Sequence, residues 1–296
     1  MLGVNETTIY RLLVEPSGPK LVTPSTAIHV VQGTTSANSL AHTLSSLEAK
    51  GIVRRVGKGV YLNESTGRSP KIVDVIPWVF KPSRYYLGLN AAANHWGLSP
   101  QIPHSYQVIY VPTNEAQIRR VTRWCLMLKG VEGHLGGSLT PVVARTGSVL
   151  DKGLSQAIVD GAQLPVSTLE KTIIDSVTYT EEIGGVGEAL LWVKVALNKD
   201  IDYDGFTRIL AEVHARTKSV AARLGFLLER ALRERPKGEL KASVNALLIR
   251  LEKLSTKTRA TYNWGPEKDK AEYFERWHLH VSVGYLNQLE EVSSYE

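Results

Sequence analysis

The sequence predicts an α+β fold: a small N-terminal unit followed by a larger mixed α/β domain with a helical second half. Three observations predict it. The chain has 296 residues, 43% of them hydrophobic, which exceeds one typical domain and suffices for more than one core. A polar run from Asn63 to Pro70, "NESTGRSP", reads as a linker, so residues 1–65 and 70–296 read as separate units. Short β-rich runs then dominate to about residue 180, and leucine-striped helices from Val186 to Ser255.

In the first unit, "NETTIYRLL" and "TPSTAIHVV" supply two helices, with Ile9, Leu12, Leu13, Ile28 and Val31 as core candidates. A third follows in "TTSANSLAHTLSSLEAKG". Ser36 is placed as its N-cap, Leu40, Leu44 and Leu47 form a buried stripe, and Gly51 ends it. "IVRRVGKGVYL" then sets β-branched residues on either side of Gly57-Lys58-Gly59, the composition of a hairpin turn. Two helices, a third helix and a basic hairpin, in that order, make the pattern of an N-terminal winged helix-turn-helix.

Function in that unit depends on the outward face. Opposite the leucines lie Asn38, Ser39, His42, Ser45 and Ser46, with Thr35, Ser36 and Thr43 at the N-terminal end and flank. None is acidic. Hydroxyls and amides of this size reach base edges or phosphates in a major groove, and Asn38 can pair with adenine in a bidentate manner. Arg54, Arg55 and Lys58 on the hairpin would meet backbone phosphates or enter a minor groove, adding affinity with little sequence information. The same side chains also suit a solvated helix face, and the same fold serves in protein-binding modules.

The second unit opens with strand-like runs, "QVIYVP" from Gln107, "TPVVAR" from Thr140 and "QAIVDGAQLPV" from Gln156, with helical spacing in "LNAAANHWG" and "STLEKTIIDSV". In the latter, Leu169, Ile173 and Val177 recur at four-residue steps, and Ser167 and Glu170 stand like a capping box. Further on, Leu224, Leu227, Leu228 and Leu232 form one stripe. Leu240, Val244, Leu247, Leu248, Leu251 and Leu254 form the next, with "RPKG" between them. The tail segment "RWHLHVSV" alternates Trp277, Leu279, Val281 and Val283 with His278, His280 and Ser282, as a strand does.

Charge and cysteine content narrow the classes of function. The 35 Lys plus Arg against 29 Asp plus Glu leave a net +6, a mild preference for polyanionic partners. The excess is concentrated: from Arg216 to Arg259 twelve basic residues stand against four acidic ones. Arg223, Arg230 and Arg233 lie off the leucine stripe and are expected to be exposed; with Lys237 and Lys241 they offer a second basic surface for phosphates or an acidic partner. The single cysteine, Cys125, forms no intramolecular disulfide and reads as a core thiol in a reducing compartment. The N-terminus lacks a cationic segment followed by an apolar run, and no stretch approaches ~18 apolar residues. A cytoplasmic protein without a membrane partner is the expectation.

Several smaller signals carry no catalytic or metal assignment. His278 and His280 could share one strand face, but no motif supplies a third ligand. Gly184, Gly185 and Gly187 precede a helix without the Lys-Ser/Thr of a phosphate loop. Asp200, Asp202 and Asp204 alternate like a calcium loop, yet Ala211 stands where the closing Glu would be, so a turn before a helix fits better. No cofactor, metal or catalytic residue is expected.

The run from Thr23 to Asn63 resembles the N-terminal winged helix of the AbiEi-type antitoxins, the antitoxin half of abortive-infection toxin-antitoxin systems. The resemblance continues through "YYLGLNAAANHWGLSPQIPHSYQVIYVP" from Tyr85. It takes in "VSTLEKTIIDSV", with Glu170, Lys171, Thr172 and Asp175, and "ARLGFLLE" from Ala222. It implies a non-enzymatic, two-domain regulator. The first domain would bind inverted repeats in a double-stranded DNA operator of its own promoter, and the second would counter a cognate nucleotidyltransferase-like toxin, with or without direct contact. An inverted repeat calls for two copies, which can meet on DNA alone. A stand-alone transcription factor and a nucleic-acid-processing enzyme are the alternatives left open.

Overall fold

The computed structural model describes residues 2–15, 18–24, 27, 37–65, 70–144, 152–213, 217–233, 242–256, 260–267 and 269–294. It is a mixed α+β structure with three sheets among these residues.

The first sixty-odd residues carry α1 (Val4–Val14), β1 (Leu21–Val22), α2 (Ala37–Ala49), β2 (Val53–Gly57) and β3 (Val60–Asn63). The strands form an antiparallel sheet in the order β1-β3-β2, and the β2–β3 pairing slips between Arg55 and Gly57. Leu40, Leu44 and Leu47 of α2 are fully buried, joined by Ile9 and Leu13 of α1 and by Val22, Val53 and Tyr61. Each such leucine contributes about 1.5–3 kcal/mol through burial. Gly51 at φ 69° stops α2, and Gly59 at φ 71° turns the hairpin, both conformations that a side chain resists. Leu12 is half-buried rather than in the core. Ile28, Val31 and most of the expected second helix lie outside the described residues.

The sheet of this unit has two apolar sides. Leu21, Val60 and Leu62 leave the N-terminal core and join a second one with Ile72, Val75, Ile76, Tyr106, Val121 and Leu128. This second core belongs to α3 (Ile72–Phe80), β4 (Arg84–Leu87), β5 (Ser105–Val111) and α5 (Glu115–Lys129); α4 (Leu89–His95) lies between β4 and β5 in the chain. After the short α6 (Glu132–Leu135) come β6 (Ser138–Val143), β7 (Leu154–Val159) and β8 (Ala162–Ser167). They complete a five-stranded mixed sheet in the order β6-β5-β4-β8-β7. Asp160 and Gly161, both at positive φ, form the two-residue turn between β7 and β8.

The helical half follows: α7 (Leu169–Thr178), a 3-10 turn (Thr180–Ile183), α8 (Val186–Ala196), α9 (Tyr203–Val213), α10 (Thr217–Arg233) and α11 (Ala242–Ser255). The described members of the predicted stripes are where they were expected, with Leu224, Leu227, Leu228, Val244, Leu247, Leu248 and Leu251 buried and Leu232 and Leu254 partly so, while Leu240 lies outside the described residues. A small sheet of β9 (Tyr262–Trp264), β10 (Ala271–Phe274) and β11 (Leu279–Ser282) leads to α12 (Val283–Ser294).

Three expectations need correction. The N-cap of α7 is Thr168, whose hydroxyl accepts from the Lys171 amide at 3.3 Å; Ser167 still belongs to β8, where it pairs with Leu154. Glu170 instead accepts from the Asp202 amide at 3.1 Å. The tail strand starts only at Leu279, because His278 takes a left-handed conformation (φ 47°) that ends a 3-10 turn, so the two histidines do not share a strand. His280 packs on the Tyr273 ring, 4.8 Å between centroids.

The reading of Cys125 as a core thiol holds. Cys125 is buried, and burial pushes its thiol up to about 12. Val186, at the start of α8, donates its amide to the Gln288 side chain at 3.2 Å. Asp202 accepts from the Gly205 amide at 2.8 Å and Asp204 pairs with Arg250 at 2.5 Å, as in a turn before a helix. No group of three or more His, Cys, Asp or Glu among the described residues is arranged to hold a metal ion. No helix among them is long and apolar enough to cross a membrane.

Candidate nucleic-acid interface

The leucine stripe of α2 fixes what its other side presents. Asn38, His42 and Ser45 are exposed, and Ser39, Thr43 and Ser46 are half-buried. The Thr43 hydroxyl donates back to the Ser39 carbonyl at 3.0 Å, so it serves the helix. Asn38 and His42 keep their side chains clear for a ligand: no hydrogen-bond partner among the described residues takes them up. Thr35 and Ser36 lie outside the described residues.

The three hairpin cations have different surroundings. Arg54 is tied to Glu64, Nε to Oε1 at 2.5 Å, and its Nη1 lies 3.3 Å from His134 Nε2. The carboxylate holds the guanidinium above its ordinary value and offsets its charge. Arg55 is exposed, and among the described residues its one side-chain hydrogen bond runs from Nε to the Gly57 carbonyl at 3.3 Å. Lys58 is exposed at the turn, and no acidic side chain among the described residues pairs with it.

The hairpin tip does not stand alone. Gly57 sits so close to α5 that a Cβ there would come within 2.7 Å of Met127 Sδ. This approach opens a cleft of about 500 Å³ lined by Lys58 on one side and by Ala116, Arg119, Arg120, Arg123, Trp124 and Met127 of α5 on the other. Arg120 donates to the Val79 carbonyl at 3.0 Å and to the Lys81 carbonyl, closing the C-terminal end of α3. Arg119 and Arg123 are exposed, one helical turn apart, and pair with no carboxylate among the described residues. The sequence reading missed them. The signal was present: Val121, Cys125 and Leu128 mark the buried side of α5, which turns Arg119 and Arg123 outward.

The second basic surface is less open than expected. Arg223 is half-buried: it donates to the Val177 carbonyl at 3.2 Å and the Asn263 carbonyl at 3.1 Å and lies over the Trp264 ring at 5.7 Å. Arg230 is half-buried too. Only Arg233 is exposed, and it pairs with Glu229 at 3.1 Å. Lys237 and Lys241 lie outside the described residues.

Residues of a catalytic type do meet in the core. Lys171 Nζ donates to Asp175 Oδ1 and to the Tyr86 hydroxyl at 2.9 Å, and that hydroxyl donates to Asp175 Oδ2 at 2.8 Å. Burial pushes the Lys171 ammonium down and the Asp175 carboxyl up, each opposed by the charge of the other, and drives the Tyr86 phenol well up. Exposures of 0% for Lys171, 1% for Asp175 and 0% for Tyr86 keep substrate and solvent away. The cluster fastens α7 to β4. It accounts physically for the spacing of Lys171 and Asp175, which places both on one face of α7.

No protein-family model matches the chain, and no curated protein matches it. Among solved structures, it is similar to the crystal structure of the RV2827C protein from Mycobacterium tuberculosis, with a TM-score of 0.62 and 13% sequence identity. The likeness covers 99% of this chain and 96% of that one. At that identity it speaks for a shared fold.

Proposed function

We propose that the chain is a sequence-reading repressor that binds double-stranded DNA at inverted repeats in its own promoter and acts as the antitoxin of an AbiEi-type pair. One observation carries the DNA reading. Helix α2 buries its leucines and, among the described residues, nothing takes up the Asn38 and His42 side chains or pairs an acid with Arg55 and Lys58 of the adjacent hairpin. The arrangement suits a recognition helix in a major groove with a wing on the adjacent backbone.

The antitoxin part rests on the sequence resemblance, which runs from the first unit through Lys171 and Asp175 to Gly225. Gly225 has a clear packing reason: a Cβ there would overlap the ring of the buried Trp277. The seclusion of Lys171, Asp175 and Tyr86 supports a non-enzymatic role for that cluster.

The test is a gel shift of the full chain on the region upstream of its own gene against random duplex of equal length. Selective, salt-sensitive retardation supports the reading; equal, weak retardation of both refutes it. For the antitoxin role, co-expression with the product of the neighbouring gene should relieve growth arrest caused by that product alone. Unrelieved arrest would leave a stand-alone transcription factor.

A further inference from the structure

We propose that the cleft between the hairpin tip and α5 binds a nucleoside di- or triphosphate, and that this ligand and the operator exclude each other at Lys58. The competition rests on the proposed DNA reading; the ligand site itself does not.

Among the described residues no acidic side chain pairs with Lys58, Arg119 or Arg123 in the cleft. Lys58, Arg119 and Arg123 converge with no carboxylate among the lining residues, and Arg120 adds a fourth cation fixed by its carbonyl contacts. Like charges brought together in this way repel one another, and a polyanion between them relieves the repulsion. Arginines at i and i+4 on one helix face, with a lysine across the gap, can engage successive phosphates of a single chain.

The other lining residues select among polyanions. This cleft also has a half-buried indole, a thioether and an alanine methyl, from Trp124, Met127 and Ala116. Trp78 packs against Trp124 edge-to-face, with 4.1 Å between ring centroids, and holds that indole in place. An aromatic surface beside a cation cluster suits a base linked to a phosphate chain, since stacking and charge are then met by one molecule. The volume of about 500 Å³ lies in the range of small-molecule sites. Lys58 belongs both to this cleft and to the hairpin surface offered to DNA, so one occupant displaces the other.

Titration calorimetry of the full chain with ATP at fixed ionic strength, without added metal, tests the site. A single saturable event per chain, weakened at least about tenfold in an Arg119→Ala/Arg123→Ala variant, supports it. Both side chains are exposed, so circular dichroism should show the variant folded. No saturable heat overturns the site, and inorganic tripolyphosphate binding as tightly as ATP overturns the nucleotide assignment. In anisotropy with labelled upstream duplex, ATP should displace the wild type and leave the variant bound. Equal displacement of both indicates general ionic competition and overturns mutual exclusion. A wild type that binds no duplex defeats the DNA reading and, with it, the competition, while the calorimetric result on the site stands.

Discussion

Breaking the buried Lys171–Asp175–Tyr86 cluster from one side should cost more than removing it whole. Lys171→Met strips the ammonium from a carboxylate that is 1% exposed, and Asp175→Leu strips the carboxylate from an ammonium that is 0% exposed. Either leaves a charge that water cannot reach, at a cost of about 3–5 kcal/mol. For a domain of this size, that corresponds to a fall in Tm of roughly 6–20 °C. The double variant removes both charges but orphans the Tyr86 hydroxyl, which donates to Asp175 and accepts from Lys171. It should still be destabilised by about 1–3 kcal/mol. Adding Tyr86→Phe removes that last polar group and should bring the triple variant within about 1–2 kcal/mol of wild type. Urea unfolding followed by tryptophan fluorescence reads this out, because Trp192, Trp264 and Trp277 lie in the same core. Single-variant losses below about 1 kcal/mol, or a triple variant as unstable as the singles, would refute the reasoning.

Other consequences follow from particular contacts. Arg55→Ala/Lys58→Ala should flatten the salt slope of DNA binding by up to about 1.8, whereas Arg54→Ala should change it less because Glu64 already offsets that charge; a larger effect from Arg54→Ala would reverse the assignment. Gly225→Ala should destabilise the chain by about 1–3 kcal/mol despite the better helix propensity of alanine, since its methyl meets the Trp277 ring. A neutral or stabilising result would show that the ring gives way. Hydrogen bonds from Lys50, Ser46 and the Gly3 amide hold the Glu6 carboxyl down to about 2. Its folded value lies below the unfolded one of ~4.3, so the folded state binds fewer protons and the contribution is present above that value. The stability gap between wild type and Glu6→Gln should therefore close as pH falls from about 5 towards 2, and a gap constant across that range would count against the pairing.

What could be read from the sequence was what one segment decides for itself. Leu40, Leu44 and Leu47 announce the buried side of α2, and Gly57-Lys58-Gly59 announces the turn, because spacing and backbone freedom are local. The α7 cap slipped by one residue because Ser167 is held by strand pairing to Leu154, a contact the local pattern does not contain. Arg223 and Arg230 looked exposed from helix phase alone. An arginine stem can pack while its head reaches carbonyls on other elements, and Arg223 does so at Val177 and Asn263. The basic cleft was hidden for the same reason on a larger scale. Lys58 and Arg119 are far apart in the chain and meet only because Gly57 lets the hairpin approach Met127. In α3 the internal Pro77 argues locally against a helix, although Ile72, Val75, Ile76 and Val79 carry a helical stripe.

If α2 reads bases through Asn38 and His42 while the hairpin supplies affinity, removing those two side chains should cost specificity and spare general binding. Anisotropy titrations of wild type and Asn38→Ala/His42→Ala, on the upstream duplex and on random duplex at the same salt, measure this. A specificity ratio that falls at least about tenfold, with binding to random duplex unchanged, is the predicted result. Equal losses on both duplexes, or no loss on either, would contradict it.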